Sequence, residues 1–251
     1  MSRTLARPSS PRVTSATARR VAAQLRRDPA TLALLLVVPP ALVALVRYLF
    51  DPVVFHRLGA ALLGVVPFIV MFAVTAVAML RERTTGTLER LMVTPAGRLD
   101  LLAGYALTFG VVTLAQAGVL VAVATGMLGL QLDGAAGLLL AVAVLDGLLG
   151  MALGLCVSTL ARTEFQVGQL MPAFVLPQLL LSGLFGPRED MAAPLRLISD
   201  ALPLTYAVNL GRHLAVDAPA GSHTARDLVV LSAAALTALV LAAGTLRRRT
   251  S

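Results

Sequence analysis

Lysine is absent from this chain of 251 residues, and all 21 basic residues are arginines. A nucleotide-binding loop of the type Gly-x-x-x-x-Gly-Lys-Ser/Thr needs its lysine to reach the β- and γ-phosphates. The chain therefore contains no such loop, and ATP hydrolysis through one is excluded. Cysteine occurs once, at Cys156 within an apolar run, so no intrachain disulfide can form. The histidines, His56, His213 and His223, are too scattered for a His-Glu-x-x-His site, and no metal is expected. Charge is scarce: 14% of residues carry it, against about 25% in an average soluble domain. With 57% hydrophobic residues and a mean hydropathy of +0.84, this is membrane composition. The net charge of +8 would suit a nucleic acid, but the arginines gather at the ends of apolar runs. Membrane topology accounts for them there, and no nucleic-acid partner is expected.

Six apolar runs are present, at about 30–50, 58–80, 100–128, 135–158, 166–186 and 227–246. Each is near the roughly 20 residues that cross a hydrocarbon layer. Prolines inside them (Pro39, Pro40, Pro67, Pro172, Pro177) free backbone carbonyls that neighbouring helices must satisfy, so the runs are expected to pack as a bundle. Residues 1–17, rich in Ser, Thr, Pro and Arg, read as a disordered basic tail. No signal peptide is expected, because the first apolar run starts near Thr31 without a small-residue cleavage site. Between Val13 and Asp28, Ala18, Val21, Ala22 and Leu25 form a stripe opposite Arg19, Arg20, Arg26 and Arg27. That pattern predicts a helix lying in the headgroup layer, with a solvated basic arm as the alternative.

A polar stretch, Arg81-Glu82-Arg83-Thr84-Thr85-Gly86-Thr87-Leu88-Glu89-Arg90-Leu91-Met92-Val93-Thr94-Pro95, breaks the apolar sequence. Leu88, Leu91 and Met92 stand at i, i+3 and i+4 and share one face of a short helix, while Thr87, Glu89 and Arg90 take the others. Gly86 or Thr85 can cap its start, and Pro95 stops it. Topology marking needs the arginines, but it does not need an apolar face, so the stretch reads as a docking element. Counting arginines puts this element and both termini on the cytoplasmic side, where the seven before the first span and Arg247, Arg248 and Arg249 also lie. On the opposite side, residues 187–226 read as one or two short helices capping the outer leaflet. Arg196 and Asp200 stand there at i, i+4.

Polar residues in the spans and, with Asn209, in the 187–226 segment supply pathway candidates: Gln116, Asp146, Gln178, Ser182 and Asn209. Such groups either line a path for a substrate or bridge helices. Gly147, Gly150 and Gly154, on the same span as Asp146, predict tight small-residue packing.

Arg81-Glu82-Arg83-x-x-Gly86-Thr87-Leu88-Glu89-Arg90-Leu91-x-x-Thr94-Pro95, with Gly104-Tyr105 in the next span, resembles the first cytoplasmic loop of ABC-2 type transporter permeases. It is most similar to the drug-exporter branch typified by the daunorubicin exporter membrane subunit. Arg26-Arg27-Asp28-Pro29, Ser182-Gly183-Leu184-Phe185-Gly186-Pro187 and Leu202-Pro203-Leu204-Thr205-Tyr206-Ala207 fit the same family. The resemblance implies an all-α membrane protein whose residues 18–251 form one ABC-2 type domain. It would have six transmembrane helices, an N-terminal interfacial helix, a cytoplasmic coupling helix between spans 2 and 3, and an outer helical hairpin between spans 5 and 6. It implies a subunit that binds no cofactor itself and dimerises, a homodimer being expected, with two copies of a separate ATPase subunit binding ATP and Mg. Glu82, Arg83, Gly86, Thr87, Leu88, Glu89, Arg90, Leu91 and Met92 would meet that ATPase. Export of a hydrophobic small molecule through the bacterial plasma membrane follows by analogy, with a lipid, polysaccharide carrier or ion as alternative cargo. An autonomous secondary transporter or membrane enzyme would need more buried charge than Asp146 alone provides.

Overall fold

The computed structural model describes residues 11–86, 98–132, 136–215 and 222–245; residues 87–97, which hold most of the expected docking helix, lie outside the described residues. Nine α-helices form the described chain, which contains no strand. These are α1 (Pro11–Arg26), α2 (Pro29–Leu49), α3 (Pro52–Thr84), α4 (Arg98–Gly126) and α5 (Ala136–Val157). There follow α6 (Glu164–Leu181), α7 (Ala193–Ala201), α8 (Pro203–Ala215) and α9 (Ser222–Thr245).

Local chemistry fixes several helix starts. Asp28 caps α2 by accepting from the Thr31 amide at 3.0 Å and the Thr31 hydroxyl at 2.7 Å, with Pro29 pre-set in the first turn. Asp51 and Pro52 repeat the arrangement at α3. Thr163 caps α6 through the Gln166 amide, and the Gln166 side chain accepts in return from the Arg162 amide. Gly86 ends α3: its φ of +70° is a left-handed conformation, and its amide bonds the Arg83 carbonyl. Its visible task is thus to close the long helix before it.

Five helices are long and apolar enough to cross a membrane: α2, α3, α4 from Ala103, α5 and α9 from His223. The protein is a multi-pass membrane protein on this ground. Helix α6, which covers most of the expected fifth span, is not among the five. Its 18 residues carry Glu164, Gln166, Gln169, Gln178 and two prolines, which dilute its leucines. The expected tail also needs correction, since α1 begins at Pro11 and takes in residues 11–17.

Helices α3 and α5 form the centre. They bury most of their length, whereas α2, α4 and α9 bury only a third of theirs or less. Phe68, Phe72 and Leu149 sit in the largest cluster, with Val208 and Leu231 from α8 and α9. The α3–α5 seam is closed by glycine. A Cβ on Gly150 would come within 2.2 Å of the Phe68 carbonyl oxygen, and one on Gly154 within 2.5 Å of the Phe72 carbonyl oxygen. Gly147 faces α4 instead, with Thr113 Cγ2 2.3 Å from its virtual Cβ. The expected small-residue packing thus serves two neighbours at once.

On the far end, α7 and α8 form the expected short helical pair, separated by Leu202. Asp200 pairs with Arg188, not with Arg196 as its spacing suggests, because α7 turns Asp200 toward the loop after α6. Arg196 donates instead to the Glu189 and Met191 carbonyls. Ser199 accepts from Arg188 Nε at 2.9 Å and donates to the Leu181 carbonyl at 2.6 Å, so the pair is stitched to the end of α6.

Candidate functional site

At 33 residues, α3 is about 50 Å long at about 1.5 Å per residue, longer than the roughly 30 Å hydrocarbon layer. Its last turn, Arg81–Thr84, is where the charge of the helix is concentrated, and it leads straight into the expected docking stretch.

Helix α1 is fastened to this foot. Its Thr17, Ala18 and Val21 are buried against α4, where Gly104 leaves no room for a side chain: a Cβ would lie 2.6 Å from Thr17 Cβ. The Thr108 hydroxyl donates to the Ala18 carbonyl at 3.0 Å. The stripe of Ala18 and Val21 expected to dip into lipid therefore packs on protein. Beyond it, Arg20 Nη1 stands 3.0 Å from Glu82 Oε1 as an ion pair, and Nη2 donates to the Tyr105 hydroxyl at 3.1 Å. The Tyr105 hydroxyl in turn donates to Glu82 Oε2. Glu82 is only 8% exposed. Burial works against the Arg20 charge, but the bonds to Glu82 and Tyr105 outweigh it and hold the guanidinium above its ordinary pKa.

Three helices thus meet in one buried triad of Arg20, Glu82 and Tyr105. Arg81, next in the chain to Glu82, points the other way and grips Glu164 at the start of α6 in a two-toothed ion pair, Nε to Oε1 2.6 Å and Nη2 to Oε2 3.2 Å. The Arg81 hydrogen bonds lower the Glu164 pKa below its ordinary value. The foot of α3 is in this way bonded to α1, α4 and α6 together.

The remaining expected site residues divide. Arg83 is partly buried beside the triad, and Gly86 closes α3. Thr87, Leu88, Glu89, Arg90, Leu91 and Met92 lie outside the described residues. Among the pathway candidates, Asp146 and Gln116 are buried in the bundle, and no described group hydrogen-bonds either carboxylate oxygen of Asp146 or either amide atom of Gln116. Gln178 is buried with its Oε1 unbonded. Ser182 is taken up in the turn after α6, donating to the Leu179 carbonyl and accepting from the Leu184 amide. Asn209 is half-buried on α8. The geometry brings none of these five together at one described cavity. Arg20 and Glu164 are functional candidates that sequence reasoning missed; the pairing of Arg20 with Glu82 spans 62 positions, beyond the reach of local periodicity.

A model of the ABC-2 type transporter family matches residues 12–215, most of the chain and all of the joint at α3. The chain belongs to this family. Among relatives of this ABC-2 protein, the inner membrane transport permease YhhJ of Escherichia coli K12 is 30% identical over 169 residues, 66% of this chain and 45% of that protein. The probable multidrug ABC transporter permease YbhR of the same bacterium is 27% identical over 154 residues, 61% of this chain and 42% of its own length. ABC transporter G family member 20 of Dictyostelium discoideum is 26% identical over 157 residues, covering 62% of this chain and 22% of that protein. The chain spans less than half the length of these relatives. With the family in hand, the Gly104-Tyr105 pair of the motif has a physical meaning. The glycine admits α1, and the tyrosine ties α1 to α3.

Proposed function

We propose that this ABC-2 chain is the transmembrane permease subunit of an ATP-driven exporter, powered by a separate ATPase and moving a hydrophobic compound such as a drug or antibiotic out of a bacterial cell. The observation that carries the reading is the joint at the foot of α3. A helix bonded at its last turn to three others transmits a push applied there as a rigid-body movement, whereas a loosely held loop would absorb it. The push enters through residues 87–92, where Leu88, Leu91 and Met92 form the apolar face that seats in a groove of the ATPase, and Glu89 and Arg90 orient it. ATP-dependent closure of two ATPase copies then acts on two permease copies.

Helix α6 supports the paired arrangement. Gln166 and Gln169 are exposed on it together with Phe165, Phe174, Leu176 and Leu180. Exposed amides are costly against lipid, and a second copy of the chain, with the pathway between, would cover that face. Helix α6 then serves as the sixth span despite its polarity, and both termini and the 87–92 segment lie in the cytoplasm. The drug-exporter branch is inferred from the loop motif and from the multidrug name of one relative. Leu88→Asp tests the reading: the variant is expected to insert and fold but to lose both co-purification with the partner ATPase and export. Normal efflux by that variant would refute the docking assignment.

A further inference from the structure

A cavity of about 560 Å3 lies between α1, α2, α3 and α4, within the range of about 300–1,000 Å3 usual for small-molecule sites. Aliphatic side chains, among them Val21, Leu25, Val74 and Val77, make much of its wall, so an occupant must be largely apolar. Tyr105 and Phe109 line it as well, with their rings inclined by only 11° and their centroids 6.2 Å apart. Aromatic walls favour a cation over an anion, because ring faces carry negative charge density.

The charged groups of the lining are Asp28, Arg81 and Glu82. Two of them are neutralised by ion pairs, Arg81 by Glu164 and Glu82 by Arg20. Asp28 has no ion-pair partner among the described residues. Its carboxylate accepts from the Thr31 hydroxyl and amide, and those bonds hold its pKa below the ordinary aspartate value, so it is charged at neutral pH. Arg81 is near enough to favour that charge but is committed to Glu164. The start of α2 offsets about half a unit of it. Arg12, Arg19 and Arg26 lie on the side of α1 turned away from Val21, Gln24 and Leu25, which line the cavity, and so do not enter the balance. The lining is therefore left with one negative charge, on Asp28. We propose that the cavity binds a hydrophobic organic monocation, its apolar body against Tyr105, Phe109 and the aliphatic wall and its charge toward Asp28. This names a class of cargo within the exporter reading, and it rests on that reading only for calling the ligand cargo.

Equilibrium binding to the purified full chain tests the site, with tetraphenylphosphonium and tetraphenylborate as probes of one shape and opposite charge. The wild type is expected to take up one tetraphenylphosphonium per chain saturably and to bind tetraphenylborate more weakly. Asp28→Asn removes the charge but keeps a residue as good at capping α2, so it decides the matter even if a cavity-filling variant does not fold. Its tetraphenylphosphonium affinity is expected to fall about fivefold, the factor for a partly exposed charge pair, with no loss of tetraphenylborate affinity. Ala78→Phe, which narrows the cavity, is expected to lose saturable binding. Leu88→Asp is expected to bind the cation as the wild type does while exporting none, so a failed site shows in binding and a failed exporter reading shows in transport. Wild-type binding of tetraphenylborate as tight as that of tetraphenylphosphonium would overturn the proposal. So would undiminished tetraphenylphosphonium binding by Asp28→Asn or by folded Ala78→Phe.

Discussion

Breaking the triad at one corner should cost more than the removed contact itself. In Arg20→Met the arginine stem remains but its charge is gone, leaving Glu82, 8% exposed, with the Tyr105 hydroxyl as its remaining partner in the triad. Removing one member of a buried ion pair costs about 3–5 kcal/mol. Arg20 is itself 26% exposed on its side chain, so water softens the penalty, and about 2–3 kcal/mol is expected. Glu82→Leu leaves a half-buried guanidinium and should cost a similar amount. The double variant removes both charges and is expected to cost no more than either single change, which implies a coupling of about 2 kcal/mol, inside the range seen for contacting residues. Thermal unfolding of the purified protein in detergent reads this out, at about 2–4 °C per kcal/mol for a chain of this size. Each single variant should unfold about 5–10 °C lower, and the double variant should not fall further. Effects that add to within about 0.5 kcal/mol would show that Arg20 and Glu82 do not act on each other, and the clamp would be wrong.

Gly150→Ala should destabilise the bundle by about 1–3 kcal/mol or more, because the new methyl meets the Phe68 carbonyl across the α3–α5 seam, whereas Gly118→Ala, with open space around it, should change the unfolding temperature little. Asp146→Leu removes two buried oxygens without a described partner and should raise stability by about 1–3 kcal/mol while export persists; loss of export in a stable variant would move Asp146 into the pathway. The Arg81–Glu164 pair has a pH signature. Because the folded Glu164 pKa is lowered, its contribution is complete above the ordinary glutamate value and disappears as pH falls through the lowered one. The gap in unfolding temperature between the wild type and Glu164→Gln should therefore be constant from neutral pH down to mildly acidic pH and close only in stronger acid.

Much of this architecture is written in local patterns. Runs of apolar residues near membrane length foretell α2, α3, α4, α5 and α9, and Asp-Pro pairs mark two helix starts to the residue. Gly147, Gly150 and Gly154 announce close packing of α5, although not that they divide it between α3 and α4. What the pattern could not carry was pairing at a distance. Arg20 looks like one more topology arginine until Glu82 and Tyr105 are brought to it. Asp200 has a plausible partner four residues away and takes another across a loop. The stripe on α1 has the periodicity of an interfacial helix, but periodicity says only that one face is covered. Whether lipid or protein covers it depends on Gly104, some 80 residues on. The polarity of α6 is visible in its glutamines, but the leucines around them give it the length and look of an apolar run.

Transport by the chain with and without an ATPase addresses the central claim most directly. In inverted membrane vesicles, ATP-driven accumulation of a fluorescent hydrophobic dye should require the permease and its ATPase together, and should vanish with Leu88→Asp. Accumulation at full rate by the chain reconstituted alone would contradict the claim that power enters through the foot of α3.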